Sequence, residues 1–463
     1  MFKNYIKIAV RSLYKSKGTS AINILGLSIG MACCIIIFLF VQNELSYDKF
    51  HSKSDQTFRV LTIDEALGVS SNLVGITMPM LGVAMESNFP EVENKVRMLP
   101  QGRQLINYEQ QGFYTQNFAY AEPSLFDVFD FKVIEGDVNN ALTEPNTVVF
   151  SETMAKTMFG GEDPIGKRID IPGQTGLEVV GVMKDITENS HLDFDVIVSM
   201  EQSDTTSGFY NFINSWRSIS MVTYVQVTNP ELEEDLEAKM ETLIRDNDVG
   251  ENFKVTLQPL SEVHLGSSGI LFENYNLNKT DINYVYTLAA VGLFVILIAS
   301  FNFMNLSTAR SANRAQEVGV RKVFGAFRLQ LINQFMIESV VLCLISFFLA
   351  IGLVAMVGPL VNLPIEQNLA IYFLSNTTWL LGGLLFVLLL GIFSGSYPAF
   401  MLSAFNPISI LRGSFMTSTK GILLRKSLVI FQFTISISMI IGTAIVYDQL
   451  QHQRNIDKGF NPE

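Results

Sequence analysis

The chain has 463 residues, of which 48% are hydrophobic and only 16% are charged, and its formal net charge is −12. Soluble globular domains carry nearer a quarter charged residues, so an ordinary cytosolic enzyme is disfavoured. Residues 44–283 hold 38 of the 44 acidic residues and 16 of the 32 basic ones, a net of −22, so the remainder is +10. This asymmetry is typical of a membrane protein with one large domain outside the cytoplasm.

Five apolar runs are long enough to cross the hydrocarbon core of a bilayer, roughly 30 Å, which takes about 20 residues. We predict transmembrane helices over residues 20–43, 284–306, 335–357, 371–402 and 427–447. Gly391, Gly395 and Pro398 interrupt the fourth run, so a tilt or kink is expected there. The first run is too long for the apolar part of a signal peptide and has no small-residue cleavage site after it, which favours a retained anchor.

The segments between these runs alternate in charge. Residues 1–19 contain five basic residues and no acid, and residues 403–426 contain four basic residues and no acid. The positive-inside rule places these two segments, together with the basic segment 307–334, in the cytoplasm. Residues 44–283, the loop near Glu366 and the tail 448–463 then face the outside.

The first 15 residues have the pattern of an amphipathic helix. Its apolar face consists of Phe2, Tyr5, Ile6, Val10, Leu13 and Tyr14, and its basic face consists of Lys3, Lys7, Arg11 and Lys15. Such a helix is suited to lie along the anionic cytoplasmic leaflet. A charge cluster that only sets the topology is the alternative, and the continuous apolar face favours the interfacial helix.

The segment 44–283 is long enough for one or two subdomains and contains no cysteine, so it must rest on its own core without disulfides. Helices are predicted over 151–159, capped by Ser151, and over 230–246. Runs rich in Val, Thr, Tyr and Phe predict strands at 57–63, 147–150, 177–183, 223–227 and 254–257. The pattern indicates an α-helical membrane protein with a large α+β extracytoplasmic domain inserted between its first and second transmembrane helices.

Candidate catalytic and metal sites are weak, and we expect none in this chain. Residues 161–167 have the G-x4-G-K spacing of a phosphate loop, but Arg168 replaces the Ser or Thr that would bind Mg²⁺, and Pro164 removes a backbone N–H. A turn is the better interpretation. The four histidines show no ligand-like spacing. A solvated turn is also favoured over a metal loop for the polar cluster at Asp185, Glu188, His191, Asp193 and Asp195.

Glu338 is the one Asp, Glu, Lys, Arg or His residue inside the five predicted membrane runs. It lies near the cytoplasmic start of the third run, where a structural pair with Arg328 or Lys322 is favoured over a proton relay. The scattered Gly, Ser and Asn of the runs are typical of helix packing. A secondary transporter is therefore disfavoured. A sensor is disfavoured as well, because neither cytoplasmic loop is long enough for a signalling domain.

Segment 307–334 combines apolar, basic and acidic residues with two glycines. Glu317 and Arg321, at i and i+4, would face the same way on a helix and pair with each other or with a partner. The mixture fits a docking element better than a bare topology signal. Its apolar stripe consists of Val318, Phe324, Phe327 and Leu331, beside the basic residues Arg314, Arg321, Lys322 and Arg328.

Three stretches carry a family resemblance. Residues 9–30 read AVRSLYKSKGTSAINILGLSIG, residues 317–326 read EVGVRKVFGA, and residues 395–407 read GSYPAFMLSAFNP. The second stretch matches E-x-G-x-R-K-x-x-G-A and is the most specific. These stretches resemble the FtsX-like family of ABC transporter permeases, of the MacB and LolC/LolE type. The stretches 148–160, 163–166 and 179–185 are similar to the MacB-type periplasmic core domain.

The resemblance implies a non-catalytic permease subunit in the bacterial inner membrane, with its N-terminus in the cytoplasm and its large domain in the periplasm. A separate cytoplasmic ATPase dimer would bind ATP and Mg and dock on the coupling residues Glu317, Gly319, Arg321, Lys322, Gly325 and Ala326. A second permease copy or half, a periplasmic adaptor and the lipid bilayer are the other implied partners, and nucleic acid is not one.

The implied mechanism passes closure of the ATPase through the first two transmembrane helices to the outside domain, without drawing a substrate through a membrane pore. The resemblance leaves two functions open. One is efflux, or trafficking of an envelope substrate, and the other is activation of a cell-wall hydrolase or another envelope partner. The run 427–447 and its exit match the register of the first run, so they are interpreted as the start of a second, truncated repeat. The chain is then expected to be either a fragment or a truncated gene product, and a fragment is favoured.

Overall fold

The computed structural model describes residues 2–65, 73–137, 141–250, 252–273, 275–309, 311–360, 376–404 and 419–455. The chain forms two compact units. The helical unit comprises Met1–Val41 and Tyr286–Glu463, and the inserted domain comprises Gln42–Val285.

Within these described residues, five helices are long and apolar enough to cross a membrane. We number them along the chain as the first to fifth long helix: Lys17–Glu44, Ile282–Ala309, Arg328–Val357, Thr377–Ser403 and Thr419–Asn455. The N-terminal helix, Phe2–Lys15, precedes the first, and the coupling helix, Ser311–Val323, precedes the third. A single 3-10 turn, Gly358–Leu360, ends the third.

The fourth long helix contains Pro398 and begins at Thr377, whose predecessor Asn376 caps it by accepting a hydrogen bond from the Thr378 N–H at 3.1 Å. The predicted start of this span at residue 371 lies outside the described residues, as do most of the loop 403–426 and the end of the tail.

Small residues bring the long helices close together. A Cβ added at Gly391 would lie 2.8 Å from the Cα of Val340, and one at Gly395 would lie 2.6 Å from the Cβ of Ser339. The third and fourth long helices therefore touch along a line where larger side chains do not fit, a common way of packing helices in lipid. Gly30 of the first long helix meets Ala299 of the second in the same manner, with 2.7 Å between the added Cβ and the alanine Cβ.

The described part of the inserted domain is built on an eleven-stranded sheet. Its strands in chain order are β1 Thr57–Asp64, β2 Leu73–Val74, β3 Val92–Tyr108, β4 Gln111–Ala121, β5 Val133–Gly136, β6 Thr147–Ser151, β7 Arg168–Ile171, β8 Gln174–Met183, β9 Val196–Ser199, β10 Val222–Val227 and β11 Phe253–Pro259. The spatial order is β11-β1-β10-β3-β4-β9-β6-β8-β5, with β2 on β1 and β7 on β3 and β8. The pairs β4–β9 and β6–β8 are parallel, and the other pairs are antiparallel.

All five predicted strands are present, and two of them, β6 and β10, are buried over their whole length. Strands covered on both faces read as continuous runs of β-branched and aromatic residues, which is why sequence alone finds them. Short helices cover the sheet at Leu81–Asn88, Leu125–Val128, Glu152–Phe159, Gly208–Ile213, Glu233–Asp246 and Leu260–Val263, with 3-10 turns at Ser54–Gln56 and Pro230–Leu232.

The two predicted helices of this domain are confirmed. The Ser151 hydroxyl accepts a hydrogen bond from the Met154 N–H at 3.2 Å and caps the helix Glu152–Phe159. In Glu233–Asp246, the side chains at i, i+4 and i+8 are buried on the sheet: Leu236, Met240 and Ile244. The sequence analysis did not predict the long β3–β4 hairpin, because Pro100 and Gly102 interrupt its strand pattern. The register of the two strands shifts at these residues.

We expect Gly391→Leu to weaken the helical unit, because the new side chain would meet the backbone at Val340. Overpacking of this kind costs about 1–3 kcal/mol. In a Trp216→Phe background, Trp379 fluorescence during thermal unfolding in detergent should show a lower midpoint. The matched control is Gly382→Leu on the same helix, where an added Cβ meets nothing within 4 Å. Equal midpoints for the two variants would contradict the packing described here.

Candidate functional site

The six predicted coupling residues lie on the coupling helix and on the turn that follows it. Glu317, Gly319, Arg321 and Lys322 belong to the helix. Gly325 adopts φ +90, a conformation that favours glycine, and its N–H donates to the Lys322 carbonyl at 3.0 Å. The Ala326 N–H donates to the Arg321 carbonyl at 3.0 Å. The turn reverses the chain, so the coupling helix and the start of the third long helix run antiparallel.

Polar contacts fix the coupling helix to two long helices. The expected pair of Glu317 with Arg321 is present at 2.5 Å, and Arg321 also donates to the Gln334 side chain on the third long helix. The Lys322 ammonium donates to the Ser403 carbonyl at 2.8 Å. Because Ser403 ends the fourth long helix, this cation sits where the helix dipole is negative. The coupling helix is therefore held to both helices.

The predicted apolar stripe of this segment is divided between two environments. Val318 and Leu331 are each 2% exposed and join the core that the coupling helix makes with the third and fourth long helices. Phe324 and Phe327 are 85% and 74% exposed. Phe324 and Phe327 flank the turn at Gly325 and form the exposed part of the predicted stripe.

The partner of Glu338 is Arg314, and the predicted pairing with Arg328 or Lys322 was wrong. The Arg314 guanidinium binds both carboxylate oxygens, at 2.5 and 3.0 Å. Arg328 lies ten residues earlier on the same helix, about 15 Å along its axis at 1.5 Å per residue. In the antiparallel pair, Arg321 lies beside Gln334, so a residue nearer the start of the coupling helix lies beside Glu338.

The N-terminal helix also reaches Glu338. The Ser12 hydroxyl donates to a Glu338 carboxylate oxygen at 2.9 Å, and Arg314 donates to the Ser12 oxygen at 3.1 Å. Ala9 on the same face is 1% exposed. We call Ser12, Arg314 and Glu338 the carboxylate junction, because three helices meet at one carboxylate.

The opposite face of the N-terminal helix is exposed. Lys7, Arg11 and Lys15 of the predicted basic face point away from the helical unit, together with Tyr14, which is 71% exposed. Lys3 belongs to the same helix, but its side chain is not among those that the structure describes. The helix thus presents cationic and aromatic side chains on one surface.

Two histidines of the inserted domain contact its first residues, 44–51, which we call the exit segment. The His264 Nε2 lies 2.8 Å from Glu44 Oε2, and the His264 ring stacks on Tyr47 with centroids 3.4 Å apart. The His191 Nδ1 lies 2.9 Å from Asp48 Oδ1. Although burial opposes it, contact with His191 lowers the pKa of the Asp48 carboxyl.

A third histidine belongs to the exit segment itself. The His51 Nδ1 accepts a hydrogen bond from the Asp130 N–H at 3.0 Å, and the ring packs against Phe129 and Phe131. Burial lowers the pKa of His51 to about 4, against the opposing influence of the Asp48 carboxylate. Sequence reasoning missed this convergence because His191 and His264 are far from residues 44–51 along the chain. The sequence signal that could have pointed to these contacts was the spacing of two acidic residues, Glu44 and Asp48, at i and i+4.

A buried arginine ties the end of the inserted domain to its first strand. Arg59 of β1 is fully buried and paired with Glu273, which also accepts from Lys279 at 2.6 Å. Arg59 further donates to Gln258 and to Ser267, at 2.9 Å to the latter. Removing one partner of a buried ion pair costs about 3–5 kcal/mol, so the segment leading into the second long helix is held firmly.

The phosphate-loop spacing at residues 161–167 forms a closed turn. The Gly166 N–H donates to the Val179 carbonyl at 2.8 Å, and Lys167 pairs with Glu162. The polar cluster around His191 is dispersed in a similar way: Asp185 accepts from the Thr153 N–H at 2.9 Å, and His191 is buried, so a solvated turn was wrong for this residue. In the part of the chain that the structure describes, no group of three potential ligands is placed to hold a metal ion.

The stability of the inserted domain should fall as the pH drops from 6.5 to 4. The unfolded His51 binds a proton near its ordinary pKa of 6.5, whereas the folded residue resists protonation down to about 4. The contribution of His51 to the free energy of unfolding is therefore complete above pH 6.5 and is lost as the pH falls towards 4. This contribution is roughly 3 kcal/mol at most. Urea unfolding of a Trp379→Phe chain, followed by Trp216 fluorescence, would measure it. His51→Phe should flatten this dependence, and the control His452→Phe on the fifth long helix should leave it unchanged. If the free energy of unfolding of His51→Phe fell with pH as steeply as that of the wild type, the assignment of the pH dependence to His51 would be refuted.

Comparisons with known proteins agree with this architecture. The MacB-like periplasmic core domain model matches residues 20–243, and the FtsX-like permease C-terminal model matches residues 289–407. The ABC transporter permease YknZ of Bacillus subtilis (strain 168) is 24% identical over 431 residues, which cover 88% of this chain and 98% of YknZ. The macrolide export ATP-binding/permease protein MacB of Neisseria gonorrhoeae (strain ATCC 700825 / FA 1090) is 25% identical over 250 residues, 51% of this chain and 34% of MacB.

Among solved structures, the extracellular domain of YknZ covers 44% of this chain and 99% of its own length, with 15% identity and a TM-score of 0.34. The first model covers the first long helix and most of the inserted domain, and the second covers the second, third and fourth long helices. The chain belongs to the FtsX-like ABC transporter permeases that carry a MacB-like periplasmic core domain.

Proposed function

We propose that this permease couples ATP hydrolysis by a separate cytoplasmic ATPase to movements of the inserted domain outside the inner membrane, in efflux or in trafficking of an envelope substrate. The observation that supports the coupling is the exposure of Phe324 and Phe327 on a helix–turn that is otherwise anchored. Large apolar side chains displayed together on a surface are typical of a protein-binding site.

The chemistry of the displayed surface indicates which kind of partner surface would fit it. Val320 and Val323, 49% and 62% exposed, extend the apolar patch of Phe324 and Phe327. The exposed Arg328 lies beside them. The fitting partner is an apolar cleft with an acidic rim on the ATPase, in which the phenylalanines act as anchors and the charges set the orientation.

The anchoring makes this surface suitable for transmitting force. A displacement of the docked turn is passed to the fourth long helix by Lys322 and to the third by Arg321 and its contact with Gln334. A mobile loop would absorb the same displacement. Glu317 keeps Arg321 in place, Gly319 lies on the buried face of the helix, and Gly325 and Ala326 form the turn.

The membrane orientation follows from the same proposal. The coupling helix and the N-terminal helix lie in the cytoplasm, and the inserted domain lies in the periplasm. The basic face of the N-terminal helix, formed by Lys3, Lys7, Arg11 and Lys15, then meets the anionic inner leaflet. Each such cation contributes about 1 kcal/mol near the surface.

Phe324→Ala should weaken binding of the ATPase by roughly tenfold or more, since a buried aromatic anchor typically contributes about 2 kcal/mol. The ATPase is the one that co-purifies with the wild-type chain from membranes, and its affinity is measured with the purified chain in nanodiscs. The matched control is Tyr114→Ala, an aromatic residue that is 61% exposed on the inserted domain. Glu317→Lys and Gly325→Trp should act like Phe324→Ala, with normal abundance in the membrane. If all three variants bound the ATPase with wild-type affinity, the segment would act only as a topology signal.

Reporter fusions test the orientation. A reporter after Gly325 or Gly413 should be active on the cytoplasmic side, and one after Asn229 should be active only outside, because the flanking charges are biased in that direction. A cytoplasmic signal at Asn229 would overturn the orientation and, with it, the docking proposal.

A further inference from the structure

The inserted domain is joined to the rest of the chain by the first and second long helices. The second is followed by the coupling helix after one intervening residue, so the backbone links their movements directly. The first long helix begins at Lys17 and is remote in sequence from the coupling helix. A contact through side chains is needed if both helices are to respond together.

The carboxylate junction supplies such a contact. Ser12 lies five residues before the start of the first long helix, on the N-terminal helix that leads directly into it. Its hydroxyl is 2.9 Å from the Glu338 carboxylate and 3.1 Å from the Arg314 guanidinium of the coupling helix. One hydrogen-bonded group therefore connects the segment before the first long helix with the coupling helix.

The geometry of the junction favours a rigid connection. Arg314 binds Glu338 with two parallel hydrogen bonds, an arrangement that fixes both distance and direction. Its guanidinium also lies 5.7 Å from the centre of the Phe335 ring, and the Glu338 side chain is 8% exposed. The Glu317–Arg321 pair on the same coupling helix is different, because its carboxylate is 56% exposed and water competes for it.

We propose that Ser12, Arg314 and Glu338 are positioning residues that make the N-terminal helix, and through it the first long helix, move together with the coupling helix. This proposal rests on the coupling function proposed above. It adds a second route by which a movement of the coupling helix reaches the inserted domain. The backbone carries the movement to the second long helix, and the junction carries it to the first.

The junction itself can be tested in the full chain without a partner. Spin labels at Tyr14→Cys and Gln316→Cys, both exposed, would report the separation of the two short helices by electron paramagnetic resonance, with Cys33, Cys34 and Cys343 replaced by alanine. A narrow distance distribution is expected. Arg314→Ala should broaden it at least twofold, Ser12→Ala should broaden it less, and the exchange Arg314→Glu with Glu338→Arg should restore it. The control Glu317→Gln removes the exposed pair and should leave the distribution narrow. An unchanged width in Arg314→Ala would overturn the proposal.

Transmission is tested by environment-sensitive fluorophores at the ends of the two routes, in complex with the ATPase that co-purifies with the wild-type chain. One is placed at Leu45, just after the first long helix, and the other at Tyr286 in the second; both sites are exposed. In Arg314→Ala, the response to ATP should be lost at Leu45 and kept at Tyr286, with ATPase affinity within twofold of wild type.

Loss of both responses would make Arg314 a general structural residue, and retention of both would mean that the junction carries no movement; either result overturns the proposal. If neither position responds in the wild-type complex, the coupling function itself fails. The spin-label widths in the chain alone still decide whether the junction holds the two helices together.

Discussion

The absence of water in the hydrocarbon core of a membrane governs this molecule. Backbone polar groups at that depth must be satisfied within their own segment, which restricts the spanning parts of a chain like this one to continuous helices. The same condition explains the sorting of charge, since acidic residues concentrate in the inserted domain. The Glu338 carboxylate of the third long helix is engaged by both Arg314 and Ser12.

Each of the two units contains a buried ion pair, but the groups that surround the pair differ between the units. In the inserted domain, Arg59 is enclosed by neutral donors and acceptors as well as by Glu273, so the ion pair is one part of a network. In the helical unit, the Arg314–Glu338 pair stands at the end of a helix hairpin and is supported by one hydroxyl and one aromatic ring. Each arrangement joins segments that are distant along the chain.

The sequence predicted the features that repeat at short range. The five long helices, the strands with continuous apolar runs and the helix capped by Ser151 follow from local patterns. The Glu317–Arg321 pair was accessible for the same reason, since both residues lie on one helix. The partner of Glu338 was not, because it depends on the register of two antiparallel helices, which the turn at Gly325 sets. The histidine contacts of the exit segment join residues that are far apart along the chain, so the spacing of Glu44 and Asp48 does not by itself identify their partners.

The inserted domain contains no cysteine, and its segments are joined by ion pairs and aromatic contacts such as those of Arg59 and His264. The folding of this domain is therefore independent of thiol-oxidising enzymes and of molecular oxygen. A domain of this kind would fold equally well in strongly reducing surroundings, such as those of strict anaerobes, and in surroundings exposed to air.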